Sequence, residues 1–308
     1  MPALVALLVF LAGYATQRGS VCAVRASVEL VVERKASRYV GFGFCAGCGL
    51  VVLAIGNALG RPVFDIYGGL PCSGAALAGG AIVGLGAYLN GRCAFGTIAE
   101  LGAGELSRLA TLGGFMAGTI LGDRAHMSLV GMPRVATPLA ALPAAATLLV
   151  ALLATALLGV ALLRLARPNP PPEWTPLQAM AVIGLGNGVL LVLARSWPYT
   201  SLLMQLARGG HDGLAPGAAM AVVFVLGAVA GGMVRGFRLQ PGSPRAWLRA
   251  LAGGTVMGIG AVLVPGGNDA MLLVGVPLLL PNLLAAYASM SLVLLALVAL
   301  RVRVTASA

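Results

Sequence analysis

The sequence predicts an all-α integral membrane protein with nine transmembrane helices, four short re-entrant half-helices and two halves that form an inverted repeat. Hydrophobic residues make up 59% of the chain and charged residues only 9%. The mean hydropathy of +0.96 therefore lies well outside the range of soluble globular proteins. Long apolar runs alternate with breaks rich in glycine, proline or arginine, and their order recurs on both sides of a proline-rich stretch.

The positive charge of the chain indicates membrane topology rather than nucleic-acid binding. The net charge is +11, but the cations are scattered singly between apolar runs, and Lys35 is the only lysine. Arginines that flank apolar spans usually set the orientation of a membrane protein. We therefore expect the lipid bilayer as a partner and no nucleic acid.

Nine apolar stretches between the charged or Pro- and Gly-rich breaks are the predicted transmembrane spans. The first and fourth are shorter than the ~20 residues that a full crossing prefers, so their ends are the least defined. The nine spans cover residues 2–16, 39–59, 70–89, 106–121, 138–163, 176–194, 214–234, 246–264 and 281–300.

Four short, mildly apolar segments follow the first, third, sixth and eighth predicted spans. None is long enough to cross the bilayer. Each is either a polar surface loop or a half-helix that dips back toward the midplane, and their regular placement favours the half-helix. The four segments cover residues 19–28, 91–99, 198–206 and 265–274.

The distribution of cations predicts the orientation. Assigning alternate loops to the cytoplasm places 15 lysines and arginines on one side and 5 on the other. The positive-inside rule then puts the N-terminus outside and the C-terminus in the cytoplasm, which requires an odd number of spans. The predicted location is the inner (plasma) membrane of a bacterial-type cell.

A proline-rich, charged stretch around residues 164–174 (RLARPNPPPEW) is typical of a semi-rigid linker. We predict an N-terminal membrane half with five spans (residues 1–165), a cytoplasmic linker (166–175) and a C-terminal half with four spans (176–308). The fifth span has no counterpart, so the two halves enter the membrane from opposite sides.

Spacing and glycine pattern support the repeat. Cys22 and Cys93 are 71 residues apart, and Thr200 and Asn268 are 68 apart. The third and eighth spans share the pattern GGxxxGxG, starting at positions 79 and 253. Small residues at this spacing allow close helix packing in lipid.

The third predicted span breaks at Asn90 and Gly91, and the break is a candidate substrate site. Arg92 and Cys93 follow directly, and Thr97 lies four residues further on. Irregular backbone at membrane depth is tolerated where protein buries it or water reaches it, which is typical of a transport pathway.

Cys22 lies in a similar context, three residues after a glycine and three before Arg25. A nearby guanidinium attracts anions, so both cysteines are candidate sites for a small sulfur oxyanion. A single membrane cysteine is more often a small hydrophobic residue in a helix contact. Two cysteines in matched breaks favour the binding site.

The second half offers polar groups in place of thiols. Gly266 and Gly267 are expected to leave two backbone N–H groups free for a ligand, and Asn268 is expected to donate as well. Asp269 either caps the short helix or takes part in gating. Thr200 contributes a hydroxyl at the remaining break.

Cys45 and Cys48 form a C-x-x-C motif, which suggests an alternative function. Such a pair is either packed inside a helix, half of a metal site, or the redox pair of a membrane thiol-disulfide oxidoreductase with Cys22, Cys72 or Cys93 as relay. The apolar, glycine-rich surroundings favour packing. The only histidines are His126 and His211, far apart in sequence, so we predict no metal site and no cofactor.

At these residues the chain resembles the YeeE/YedE family of sulfur transporters, whose characterised members take up thiosulfate. The resemblance covers the span order over nearly the full length, the short intramembrane helices and the sequence GRCAFGT at 91–97. It implies a permease and not an enzyme, in which Cys22 and Cys93 pass the substrate along through S–H hydrogen bonds. It also implies a cytoplasmic sulfurtransferase as a partner. Family transporters carry a third pathway cysteine, where this chain has residues 266–269, Gly-Gly-Asn-Asp.

The sequence leaves the coupling ion open. Its intramembrane acids are few, which favours channel-like movement over proton symport. Four glutamates near the predicted inner surface are expected to be solvated loop charges: Glu29, Glu33, Glu100 and Glu105. A purely structural subunit of a larger complex is a third possibility.

Overall fold

The computed structural model describes residues 2–61, 63–66, 68–125, 127, 133–165, 174–194, 197–209 and 214–306. Within this set, nearly every residue that has regular secondary structure is in a helix. Two strands of two residues each, β1 (Gly68–Gly69) and β2 (Val135–Ala136), form one antiparallel pair. The predicted all-α class is confirmed.

Fourteen α-helices lie within the described residues, together with one 3₁₀-helix (Pro138–Ala141) and one π-helix (Met271–Gly275). The α-helices are α1 (Pro2–Arg18), α2 (Ala23–Val32), α3 (Ser37–Ala58), α4 (Val63–Ile66), α5 (Gly74–Asn90), α6 (Ala94–Gly102), α7 (Arg108–Arg124), α8 (Ala144–Leu165), α9 (Pro176–Ala194), α10 (Tyr199–Ala207), α11 (Leu214–Val234), α12 (Pro244–Leu263), α13 (Asn268–Ala270) and α14 (Pro281–Ala306).

Eight stretches of helix within the described residues are long and apolar enough to cross a membrane, so this is a multi-pass membrane protein. They are Ala3–Val32, Ser37–Ala58, Gly74–Gly102, Ala144–Leu165, Pro176–Leu193, Pro216–Val234, Pro244–Leu263 and Pro281–Thr305. Two of the eight join a long helix to the short helix that follows it. Helix α7 covers the fourth predicted span with 17 residues and is not among the eight, so the count of nine stays a prediction.

Helical structure occurs at all four predicted short segments, although each helix begins later than expected. Helices α2, α6 and α13 begin after an extended residue, which is Cys22, Cys93 or Gly267. Helix α10 begins after Pro198. The sequence pattern does not distinguish an extended residue before a helix from the first helical turn, which accounts for the shift of one to four residues.

The helix packing follows a paired pattern. Helix α1 packs against α11, and α9 packs against α3. Helix α7 packs against α12, and α14 packs against α5. Helix α2 contacts α14, and α10 contacts α7. These contacts form three equivalent pairs when each helix of the first half is matched with one of the second. The matching takes the helices in chain order, with α1, α2, α3, α5, α6 and α7 corresponding to α9, α10, α11, α12, α13 and α14.

Glycines bring α5 and α12 together at the centre of the bundle. A Cβ atom added at Gly260 would lie 2.7 Å from the carbonyl oxygen of Gly79. A Cβ atom added at Gly253 would lie 2.5 Å from the backbone nitrogen of Asn90. Only glycine permits such a close approach of two backbones, as the shared GGxxxGxG pattern predicts.

Some predicted features lie outside the described residues. They include most of the predicted linker, residues 166–173, and both histidines, His126 and His211. The described end of the linker contacts the first helix, since the backbone N–H of Trp174 donates to the carbonyl of Arg18 over 3.3 Å.

Candidate substrate pathway

The N-terminal ends of the four short helices meet inside the bundle. The residues at these ends are buried, among them Cys22, Cys93, Thr200 and Asn268. The first N–H groups of a helix lack partners within that helix and carry a partial positive charge. Here several of those N–H groups donate to side chains of a neighbouring short helix or the residue before it, so the four ends form one hydrogen-bonded centre.

Cys22 and Cys93 lie side by side in this centre. The backbone N–H of Ala23, the first residue of α2, donates to Cys93 Sγ over 3.2 Å. Both cysteines are free thiols and almost completely buried. The structure thus brings together the two cysteines that the sequence places in matched breaks.

A cavity of about 270 Å³ opens next to Cys22. Three arginines line it, of which Arg25 and Arg92 were predicted site residues and Arg235 was not. Glu100 also lines it and forms an ion pair with Arg92, with an Nη2 to Oε1 distance of 2.6 Å. The cavity therefore carries excess positive charge beside a thiol, which suits a small anion.

Arg235 comes from the end of α11, more than 200 residues from the Cys22 break. Its Nη1 donates to the hydroxyl of Ser20 over 3.1 Å and to the carbonyl of Gln17 over 3.4 Å. Spacing alone could not pair Arg235 with Cys22. The only sequence signal was that Arg235 is one of the 15 lysines and arginines that the charge distribution places on the cytoplasmic side.

Gly91 and Thr97 shape the Cys93 break and do not line the cavity. Gly91 ends α5 with a φ of 77°, a left-handed conformation that favours glycine. Thr97 is buried, and its hydroxyl accepts a hydrogen bond from Asn90 Nδ2 over 3.1 Å. The sequence predicted both as pathway residues. In the structure they hold the backbone around Cys93 and do not line the cavity.

Asn90 is a residue that the sequence did not assign to the site. Its Nδ2 donates to the carbonyl of Arg92 over 2.7 Å. Its Oδ1 accepts from Arg108 Nη1 over 3.1 Å and from the hydroxyl of Thr111 over 3.0 Å. The side chain of Asn90 therefore ties the loop before Cys93 to α7.

Asn268 links the second half to the Cys93 helix. Its Oδ1 accepts a hydrogen bond from the backbone N–H of Ala94 over 2.9 Å. The expected donation from its amide nitrogen to a ligand stays a prediction. The hydroxyl of Tyr199 donates to the carbonyl of Ala94 over 2.8 Å. Both groups on Ala94 thus find partners in the second half of the chain.

The expectation that Gly266 and Gly267 leave their N–H groups free is wrong. The N–H of Gly266 donates to the carbonyl of Ala261 over 3.1 Å. The N–H of Gly267 donates to the hydroxyl of Thr200 over 3.1 Å. Backbone N–H groups buried away from water are costly to leave unpaired, which explains why both are satisfied within the protein.

Asp269 makes its contacts with two short helices. Its carboxylate accepts from the backbone N–H of Thr200 over 3.2 Å and from the N–H of Ala270 over 3.0 Å. It also forms a hydrogen bond with the hydroxyl of Thr200. Asp269 therefore bonds N–H groups in the first turns of both α10 and α13.

The remaining cysteines do not join the centre. Cys45 and Cys48 are buried in α3 against α9, where a Cβ atom added at Gly184 would lie 2.8 Å from Cys48 Cβ. Cys72 is exposed just before α5. Among the described residues, no group of three or more His, Cys, Asp and Glu side chains is placed to hold a metal ion.

A multi-pass helical bundle that surrounds buried thiols, helix N-termini and a cationic cavity is typical of the class of membrane transport proteins. Comparison with protein families supports this class, because the family described as Sulphur transport matches residues 18–294. The chain belongs to this family, also known as YeeE/YedE, which confirms the resemblance seen in the sequence. A comparison with curated proteins gave no match.

Proposed function

We propose that this sulfur transport protein is a permease that takes up a small inorganic sulfur-containing anion, thiosulfate or a related species, through a cysteine-lined pathway. The observation that carries the proposal is that Cys93 meets the start of α2 beside Cys22, and that Cys22 lines a cavity with three arginines. A thiol can donate a weak hydrogen bond to a terminal sulfur, and guanidinium groups bind oxyanion oxygens strongly.

The order of these groups gives a direction for transport. Cys22 lines the cavity and Cys93 does not, so Cys93 is the more distant of the two from the cavity. The substrate's sulfur would therefore contact Cys93 first and Cys22 second, and its oxygens would then meet Arg25, Arg92 and Arg235 in the cavity. Positive potential at the exit side lowers the energy of an anion inside the protein.

The proposed membrane arrangement has nine crossings, four re-entrant half-helices and two inverted halves joined by the linker at residues 166–175. The matched helix contacts between the two halves, described under the overall fold, support this arrangement. The cationic cavity lies where the sequence places the cytoplasm, with the N-terminus outside and the C-terminus inside. A cytoplasmic sulfurtransferase that receives the substrate at this cavity completes the proposal.

A redox function at Cys45 and Cys48 is disfavoured, because reactive thiols need solvent access and an electropositive setting. Both side chains are buried between α3 and α9. We therefore propose no catalytic role for them and expect them to pack as small hydrophobic residues.

The test is uptake of radiolabelled thiosulfate into cells that lack their own sulfur importers. We expect uptake with the intact chain, strong loss with Cys93→Ala and Cys22→Ala, and no loss with the control Cys45→Ala. No uptake by an inserted intact chain would exclude thiosulfate and direct the search to other sulfur anions. Wild-type uptake by both pathway variants would overturn the cysteine-lined route.

A further inference from the structure

The two sides of the hydrogen-bonded centre differ greatly in open space. The cavity beside Cys22 has a volume of about 270 Å³. At the ends of α6, α10 and α13, a void of only about 10 Å³ lies among Ala94, Tyr199, Thr200, Gly267 and Asn268. That void has room for no more than a single water. The space beside Cys22 is therefore open, whereas the packing around Thr200 and Asn268 leaves almost none. In the proposed topology α10 and α13 enter from outside, so this packed end of the centre faces the outer side.

Asp269 and Thr200 are the polar groups at this closure. Asp269 is only 1% exposed, and no lysine or arginine among the described residues forms an ion pair with it. Its carboxylate is held instead by the N–H and the hydroxyl of Thr200 and by the N–H of Ala270. A carboxylate without a countercharge is costly to bury unless several hydrogen bonds satisfy it. Here three hydrogen bonds meet that cost, and two of them join Asp269 to Thr200 on the neighbouring short helix.

The backbone next to Asp269 repeats the backbone at Cys93. Gly267 precedes α13 with φ −82° and ψ −173°, and Cys93 precedes α6 with φ −80° and ψ −178°. A side chain at position 267 would nevertheless collide with the closure. An added Cβ atom would lie 2.7 Å from Thr200 Oγ1 and 2.9 Å from Asp269 Oδ1. Thr200 and Asp269 thus fill the space that a side chain occupies at the matching position of the first half.

We propose that Asp269 and Thr200 form a latch that closes the outer half of the pathway. An incoming anion opens the latch by replacing the Asp269 carboxylate as the acceptor of the Thr200 N–H and hydroxyl. This inference rests on the proposed pathway and adds a residue pair that controls entry to it.

The negative charge of Asp269 makes the latch selective as well as closed. Two like charges a few ångströms apart repel each other strongly in a partly dehydrated site. An anion therefore enters only if its own hydrogen bonds to Thr200 are good enough to displace the carboxylate. Anions that accept hydrogen bonds only weakly cannot displace the carboxylate, so Asp269 and Thr200 exclude them from the pathway.

Chemical labelling of Cys93 tests the latch without any substrate. Sulfonatoethyl methanethiosulfonate is a small, anionic, membrane-impermeant reagent that forms a mixed disulfide with a thiol and releases methanesulfinate. Cys72 is exposed and serves as an internal control for the outer side. The backbone N–H of Leu70, nearby in sequence, donates to Asn282 Oδ1 over 3.1 Å, which ties this region to the start of α14, an end that the proposed topology places outside.

The reagent is applied on the side from which Cys72 is labelled, and mass spectrometry follows Cys72 and Cys93 separately. We expect Thr200→Val and Asp269→Asn to speed labelling of Cys93 on the order of ten-fold, the size expected for loss of one buried hydrogen bond. Thr200→Ser keeps the hydroxyl and should keep Cys93 protected. The matched control is Thr119→Val, because Thr119 is also buried but donates only to the carbonyl of Phe115 in its own helix.

Unchanged labelling of Cys93 in both latch variants, with Cys72 labelled as in the wild type, overturns the latch. Equal acceleration in Thr119→Val also overturns it, because the effect would then reflect general loosening. The result does not depend on the identity of the transported anion. A failed thiosulfate uptake experiment and a failed latch experiment are therefore distinguishable.

Discussion

Gly96 lies where a methyl group would displace the Cys22 thiol, so Gly96→Ala tests the cysteine geometry directly. An added Cβ atom would lie 2.6 Å from Cys22 Sγ and 3.2 Å from Arg92 Cδ. Ordinary van der Waals contact begins near 3.4 Å, so the sulfur must move by about 0.8 Å. Overpacking of this kind costs about 1–3 kcal/mol. Such a cost lowers the fraction of molecules that keep the original Cys22 position by roughly five- to hundred-fold.

The matched control is Gly113→Ala in α7, where nothing among the described residues lies within 4 Å of the added methyl group. Replacing glycine by alanine at an open helical position stabilises the helix by roughly 0.5–1 kcal/mol. We expect Gly113→Ala to leave thiosulfate uptake unchanged and Gly96→Ala to reduce it at least five-fold. Membrane level and melting temperature, measured for both purified variants, show that each is folded.

Equal uptake rates in Gly96→Ala and Gly113→Ala would refute the idea that substrate passes the Cys22 thiol. A loss of folded protein in Gly96→Ala alone would show a packing defect, and Cys22→Ser then gives the same test without an added atom. We expect that variant to lose uptake as well, because a hydroxyl does not reproduce the size and polarizability of sulfur.

Three further predictions follow from the described contacts. Arg92→Gln and Arg235→Gln should each raise the KM for the anion more than they lower the maximal rate, measured as uptake against concentration, because they remove positive charge from the cavity. Arg38→Ala should lower the melting temperature by several degrees, because breaking the ion pair with the buried Glu29 costs about 3 kcal/mol; an unchanged value would mean that water reaches Glu29. Asn268→Ala should destabilise the fold by about 1–3 kcal/mol in a thermal shift assay, since it leaves a buried backbone N–H without its acceptor.

The sequence was informative wherever local chemistry determines local structure. The apolar runs predicted the long helices, and the breaks near Cys22 and Cys93 predicted that short helices follow, although α2 and α6 begin at Ala23 and Ala94, later than expected. The paired glycine pattern predicted close helix packing, and the structure shows that α5 and α12 approach each other at these glycines. These inferences need no knowledge of distant contacts.

The sequence failed where a partner comes from another part of the chain. Arg235 joins the cavity from the end of α11, and the N–H of Gly267 donates to the hydroxyl of Thr200, 67 residues away in the sequence. Glu29 was expected to be a solvated loop charge, but it is buried against Ser37 and Arg38. Such pairings arise only when the helices pack.

Uptake of labelled thiosulfate into liposomes that contain only the purified chain tests the central claim most directly. We predict uptake that saturates with concentration, is lost in Cys93→Ala and persists in the control Cys48→Ala, which removes a buried thiol outside the pathway. Persistence of uptake in Cys93→Ala at the wild-type rate would contradict the cysteine-lined pathway. Absence of thiosulfate and other sulfur-anion uptake by the intact, folded chain would contradict the proposed transport function itself.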